Sequence, residues 1–265
     1  MTSHLTNIDG FDQPTTYIGE TTSQGTKTTF KIHGKAHPGL YMFHAEANPD
    51  VRFSAIKNNP MAGMTFVNMI RLLYIKRKSI DWSIYPHRIL ALLLISIVNS
   101  VLAMIEEVYV AILRVNGIMH LAEMDDQAPV FVLGHPRTGT TLLHSLLALD
   151  EDRFCVCSTF MAGFPTCFLF FERLGKRLFA GILSETRPMD NMRLHFDLPQ
   201  EDELATCLLS GGRFSPYMSL YFMRDEQDYR QYQSFRNSSV TDIAVWRESF
   251  EKLLTKIKAR YAEFF

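Results

Sequence analysis

The run Pro129-Val130-Phe131-Val132-Leu133-Gly134-His135-Pro136-Arg137-Thr138-Gly139-Thr140-Thr141-Leu142-Leu143 constrains the fold of this chain more than any other segment. The β-branched and aromatic residues from Val130 to Leu133 predict a short buried strand, and Leu142, Leu143, Leu146 and Leu147 recur at helical spacing directly afterwards. The loop between them therefore enters a helix N-terminus. There, unpaired backbone N–H groups and the positive end of the helix dipole favour an anion. Gly139 lets the backbone approach such an anion closely, and Arg137, Thr138, Thr140 and Thr141 add side-chain donors. A turn that merely joined strand to helix would require neither the arginine nor the three threonines. The expected fold class is α/β: a P-loop-like parallel sheet flanked by helices, helix-rich and incomplete at the C-terminus.

The phosphate loop of nucleotide kinases and triphosphatases reads Gly, four residues, Gly, Lys and then Ser or Thr. Thr140 stands where that Lys belongs. Without it the β- and γ-phosphates lose their main counter-charge. A kinase or triphosphatase stays as an alternative that predicts magnesium-dependent ATP binding.

The segment from Gly134 to Thr141 resembles the 5′-phosphosulfate-binding loop of sulfotransferases that use 3′-phosphoadenosine 5′-phosphosulfate, PAPS. The likeness runs on through Leu142-Leu143-His144-Ser145-Leu146-Leu147-Ala148-Leu149-Asp150. Leu198-Pro199-Gln200-Glu201-Asp202-Glu203 is similar to a second signature of the broad sulfotransferase family of microbes and lower eukaryotes. This resemblance, over residues 95–265, implies transfer of a sulfuryl group from PAPS to a hydroxyl or amine on a small-molecule, lipid or carbohydrate acceptor. It implies that Arg137, Thr138, Gly139, Thr140 and Thr141 hold the 5′-phosphate, with Arg137 stabilising the leaving group. An arginine suits that task because its fork grips phosphate or sulfate oxygens and stays charged. No metal is implied.

A base must take the proton of the acceptor, and His195, Glu201 and Asp202 are the candidates. Several relatives carry a glutamate further along from the basic loop residue, whereas this chain has Cys157, Ser158 and Thr159 there. A structural role for His195, and helix N-capping after Pro199 for Glu201 and Asp202, are the competing readings.

A doubly wound domain needs several parallel strands, yet beyond Val130–Leu133 only Phe154–Ser158 suggests a second. After Pro199 the pattern is mainly helical. Residues 242–264 are amphipathic, with Ile243, Trp246, Phe250, Leu253, Ile257 and Tyr261 on one stripe. The family binds the cofactor's 3′-phosphate through an Arg and a Ser on a later strand and helix. Met223-Arg224-Asp225 contains an Arg-Asp pair but precedes the amphipathic helix, and reads as a surface segment. These features describe the N-terminal part of a sulfotransferase domain, C-terminally truncated. A non-catalytic protein associated with a membrane or partner is the alternative. The aromatic, Met-rich stretch from Phe214 to Met223, including Tyr217, Tyr221 and Phe222, suits either an apolar acceptor site or core packing.

A formal charge of -1 with scattered basic residues gives no footprint for nucleic acid. Cys155, Cys157, Cys167 and Cys207 have no zinc-type spacing and read as buried thiols. The first 30 residues lack the charged-then-apolar start of a cleaved signal peptide. Short strands are expected at Thr28–His33 and Leu40–His44. From Ile89 to Leu113 the chain forms a long apolar helix preceded by Lys76, Arg77, Lys78 and Arg88. Those positive charges would hold its N-terminus in the cytoplasm if it spanned a membrane, the arrangement of a type II Golgi protein. Asn99 in mid-segment favours a helix packed on the domain or apposed to a membrane, giving a cytoplasmic or membrane-associated protein. The expected division is 1–85, an irregular N-terminal region; 86–127, the apolar helix and its connection; and 128–265, the sulfotransferase-like part. Oligomeric state is not fixed by any of these features.

Overall fold

The structure, a computed structural model, describes residues 59–80, 82, 86–120, 128–134, 138–184, 186 and 193–262, together with the backbone of three N-terminal strands. Those strands are β1 (Leu5–Asn7), β2 (Thr15–Ser23) and β3 (Thr26–Gly34), an antiparallel meander in which Tyr17 pairs with both Asn7 and Ile32. β3 covers the strand expected at Thr28–His33. The one expected at Leu40–His44 lies outside the described residues.

The remainder is helical: α1 (Phe66–Ile75), α2 (Pro86–Val115), α3 (Thr140–Leu147), α4 (Thr159–Gly163), α5 (Phe168–Leu178), α6 (Asp202–Leu209), α7 (Glu226–Arg230) and α8 (Val240–Ala262). The expected parallel sheet, and with it the α/β class, is corrected here. Residues 128–134 have no regular structure, and Val130, Phe131 and Leu133 are exposed, Leu133 to 87%. Residues 154–157 are likewise irregular, and Ser158 makes only an isolated bridge to Pro199. A parallel strand is held by a neighbour reached through a crossover. Among the described residues from 128 onward no strand exists to be that neighbour.

The core lies where α4, α5 and α6 meet α8 and the Pro60–Gly63 turn. Phe160 and Phe168 are fully buried with Met64, Met69, Leu72 and Leu253. Aromatic rings carry much of this packing: Phe160 meets Phe164 and Phe196 at centroid separations of 5.1 and 5.4 Å, and Phe164 stacks on Phe179 at 4.8 Å. Such contacts add about 0.5–1.5 kcal/mol each beyond the area they bury.

Pro86 opens α2, where its fixed φ suits a helix start. The helix is fastened to the domain through polar groups along one side. Asn99 Nδ2 donates to the carbonyls of Ala62 and Met64. Ser100 Oγ accepts from Phe66 N at 2.8 Å, so α1 runs back along the first half of α2. Further on, buried Glu106 accepts from Leu169 N at 2.9 Å, covering an orphan amide at the start of α5, and ion-pairs with Lys256 of α8. Lys256 also lies over the Phe168 ring, 4.5 Å from its centroid.

Candidate functional site

Gly139 occupies the N-cap of α3 with φ 91° and ψ 15°, a left-handed conformation natural to glycine, and no side chain caps the helix. The first intrahelical bond is Leu143 N to Gly139 O at 3.0 Å, so the amides of Thr140, Thr141 and Leu142 lie ahead of the ladder. Gly134 lies close to the start of the helix: a Cβ there would sit 2.6 Å from Thr140 Cγ2 and 2.9 Å from Thr138 Oγ1. Thr138 and Gly139 are exposed, while Thr140 and Thr141 are half-buried at the helix start. Arg137 lies outside the described residues.

Leu198-Pro199-Gln200 is stitched along the segment leading into α4. Gln200 N donates to Cys157 O at 2.9 Å, Thr159 N and Oγ1 both donate to Leu198 O at 2.7 and 2.9 Å, and Phe160 N donates to Phe196 O at 3.0 Å. Residues 157–159 thus lie directly against the strip that delivers Glu201 and Asp202. Both carboxylates are exposed at the start of α6. Glu201 holds the N-cap position without making a side-chain capping bond, and Asp202 follows in the first turn, where the helix dipole favours its charge.

The two ends meet electrostatically at His144, on the second turn of α3. Burial lowers the affinity of His144 for a proton, and the charges of Asp202 and Glu201 oppose that effect. His144 lies in the run that resembles the family, where the sequence assigns it no role of its own. Its partners lie far along the chain, beyond the reach of any local pattern. Glu203, the last residue of the second signature, is pushed up to about 7 by burial, with the hydroxyl of Ser215 and the neighbouring carboxylates as lesser influences. Its Oε1 has no hydrogen-bond partner among the described residues.

The remaining candidates lie in other surroundings. His195 is exposed, with Nδ1 2.9 Å from Asp197 Oδ2. Asp197 pairs with Lys176, Lys176 with Glu172 at 2.6 Å, and Glu172 with Arg260 at 2.6 Å, a charged chain linking α5 to α8. Met223 and Arg224 are exposed, whereas Asp225 is tied to Lys76 and Ser79, each at 2.8 Å. In the aromatic stretch, Phe214, Met218 and Phe222 are buried, which fits core packing. Three of the four thiols are buried, with Cys167 and Cys207 pushed up to about 12 by burial, and Cys155 is exposed.

Residues 129–210 match the model of the family described as the sulfotransferase family. Two similar curated proteins are the omega-hydroxy-beta-dihydromenaquinone-9 sulfotransferases Stf3 of Mycobacterium bovis and Mycobacterium tuberculosis. Each is 30% identical over 198 residues, which cover 75% of this chain and 48% of the relative. The chain spans about half the length of the curated relatives it matches. No solved structure matches it.

Proposed function

We propose that this chain, whose residues 129–210 match the model of the sulfotransferase family, serves transfer of a sulfuryl group from PAPS to a hydroxyl on an apolar small molecule or lipid. The observation that carries this reading is the glycine loop at the start of α3, with Gly139 left-handed and three amides ahead of the helical ladder. Backbone donors at a helix start suit the 5′-phosphate end of the co-substrate. Arg137, Thr138, Thr140 and Thr141 are the side chains we assign to it. The name of the two relatives, which specifies a hydroxylated menaquinone, supports an apolar hydroxyl acceptor.

In the transfer, the acceptor oxygen attacks sulfur, the bond from sulfur to the phosphate oxygen breaks, and 3′,5′-diphosphoadenosine leaves carrying the electron pair. Arg137 is assigned to the charge building on that leaving oxygen. The acceptor proton passes to a base, and among His195, Glu201 and Asp202 we favour the two carboxylates, because they share an electrostatic neighbourhood with His144 on the phosphate-loop helix.

Calorimetric titration with 3′,5′-diphosphoadenosine, with ATP and magnesium in parallel, tests the reading. Binding selective for the diphosphate and lost in Arg137→Ala is expected. Preference for magnesium-ATP would replace the reading with that of a nucleotide kinase or triphosphatase. Where turnover is measurable, Arg137→Ala should lower it by about 10²- to 10³-fold.

A further inference from the structure

α2 is apolar on its outer side as well as on the side packed against the core, where Leu92, Leu102, Tyr109 and Leu113 lie, unlike a helix on the surface of a water-soluble domain. Such a helix turns its apolar stripe inward and its polar face to solvent. On α2 the buried positions include Ser96, Asn99 and Glu106, of which Asn99 and Glu106 fasten it to the domain. The opposite side carries Leu90, Leu94, Val101, Met104, Val108 and Val115, each 46% exposed or more and recurring at steps of three, four and seven residues. No charged side chain interrupts that stripe. α1 adds exposed Val67, Ile70 and Tyr74 at the same spacing. Among the described residues α2 is the one helix long and apolar enough to cross a membrane.

Two further observations identify what covers this face. The connection between α1 and α2 is basic and aromatic. Arg77 and Lys78 are exposed, the Arg77 guanidinium lies 4.6 Å from the centroid of Tyr74, and exposed Trp82 donates its indole N–H to Arg77 O at 2.9 Å. Cationic side chains beside Tyr and Trp suit the headgroup zone of an anionic bilayer, where the rings sit at the interface and the charges meet phosphates. The second is the fastening itself. Asn99, Ser100 and Glu106 hold α2 lengthwise against the Pro60–Gly63 turn, α1 and α5, with Lys256 of α8 closing over Glu106. A helix fixed along its length to a folded domain cannot thread through hydrocarbon.

We infer that the exposed face of α2 lies in the plane of an anionic lipid surface, immersed to the headgroup–acyl boundary, with Arg77, Lys78 and Trp82 anchoring one end. This docking is independent of the chemistry assigned to the loop before α3. It places the domain on a membrane without crossing it.

Flotation of the full chain with phosphatidylglycerol-containing vesicles and with pure phosphatidylcholine vesicles tests this. Preferential flotation with the anionic vesicles is expected. The Val101→Asp/Val108→Asp variant, altered only at exposed positions, should keep the thermal midpoint of the parent and lose at least about tenfold in partitioning. Arg77→Glu/Lys78→Glu should erase the preference for anionic lipid. Failure to float, with the double aspartate variant converting an oligomer to a monomer, would show that a second copy covers the face and overturn the inference. In-plane seating also requires that cysteines placed at the exposed polar positions His87 and Asn116, at the two ends of α2 and off the apolar stripe, in a Cys155→Ser background, both react with an impermeant maleimide added outside sealed vesicles. Protection of one end alone would mean that the helix spans, and would equally overturn it.

Discussion

Glu106 and Lys256, 150 positions apart in the sequence, meet as an ion pair in the interior where α2, α5 and α8 converge. Glu106 also bonds the amide of Leu169, and Lys256 donates to Pro165 O. The pair therefore closes backbone groups at the entrance to α5 as well as neutralising itself.

Removal of one partner should be far worse than removal of both. Glu106→Leu or Lys256→Met leaves a buried charge uncompensated, with an expected loss of about 3–5 kcal/mol. The double variant Glu106→Leu/Lys256→Met should recover most of that loss, retaining about 1–3 kcal/mol for the unpaired Leu169 amide. Urea denaturation of the three proteins measures the coupling, and additive effects would contradict it.

Gly139→Ala should both strain the loop and spoil the anion site. Left-handed backbone costs an L-residue with a Cβ about 1–2 kcal/mol, and among the described residues nothing lies within 4 Å of the added Cβ. The expected outcome is a matching fall in stability together with weaker binding of 3′,5′-diphosphoadenosine. Gly134→Ala should be the harsher of the two in the loop, because its Cβ strikes Thr140 and Thr138.

His144 should titrate below the ordinary histidine range, since burial outweighs its acidic neighbours. Those carboxylates hold its proton on, so Asp202→Asn should drive the titration further down. Proton NMR of the imidazole C–H signals reads both shifts. An upward move in the variant would contradict the proximity of α3 to the start of α6.

Glu203 gives a pH dependence of defined sign. Its folded value of about 7 lies above the ordinary 4.5, so between those values the folded state binds more protons than the unfolded chain. Stability should therefore decline as pH rises from 4.5 toward 7, then level off. Glu203→Gln should flatten this slope in thermal melts recorded across that window.

Local signals in the sequence were faithful and non-local ones were not. The start of α3 at Thr140 follows from a glycine and the leucine spacing after it, and α2 and α8 follow from apolar periodicity over many turns. Val130–Leu133 has the composition of a strand, but composition carries no information about a neighbour, and without one the segment is an exposed irregular stretch. The second signature was legible as a motif. Its attachment to residues 157–160 depends on backbone bonds between segments some 40 residues apart. For the same reason Asn99, which in the sequence spoke only against a spanning helix, turned out to be a fastening point on the inner face of α2.

Tyr261 carries a consequence for the segment once expected to be a strand. Its hydroxyl accepts from Val156 N and donates to Val156 O, both at 3.2 Å. In extended chain the N–H and C=O of one residue point toward the same neighbour, so a single phenol on the last turn of α8 stands in for an adjoining strand there. Sheet pairing along that side of Val156 and the seated end of α8 are mutually exclusive conformations. Tyr261→Phe is the lightest change that would release one edge while leaving the ring to fill its place.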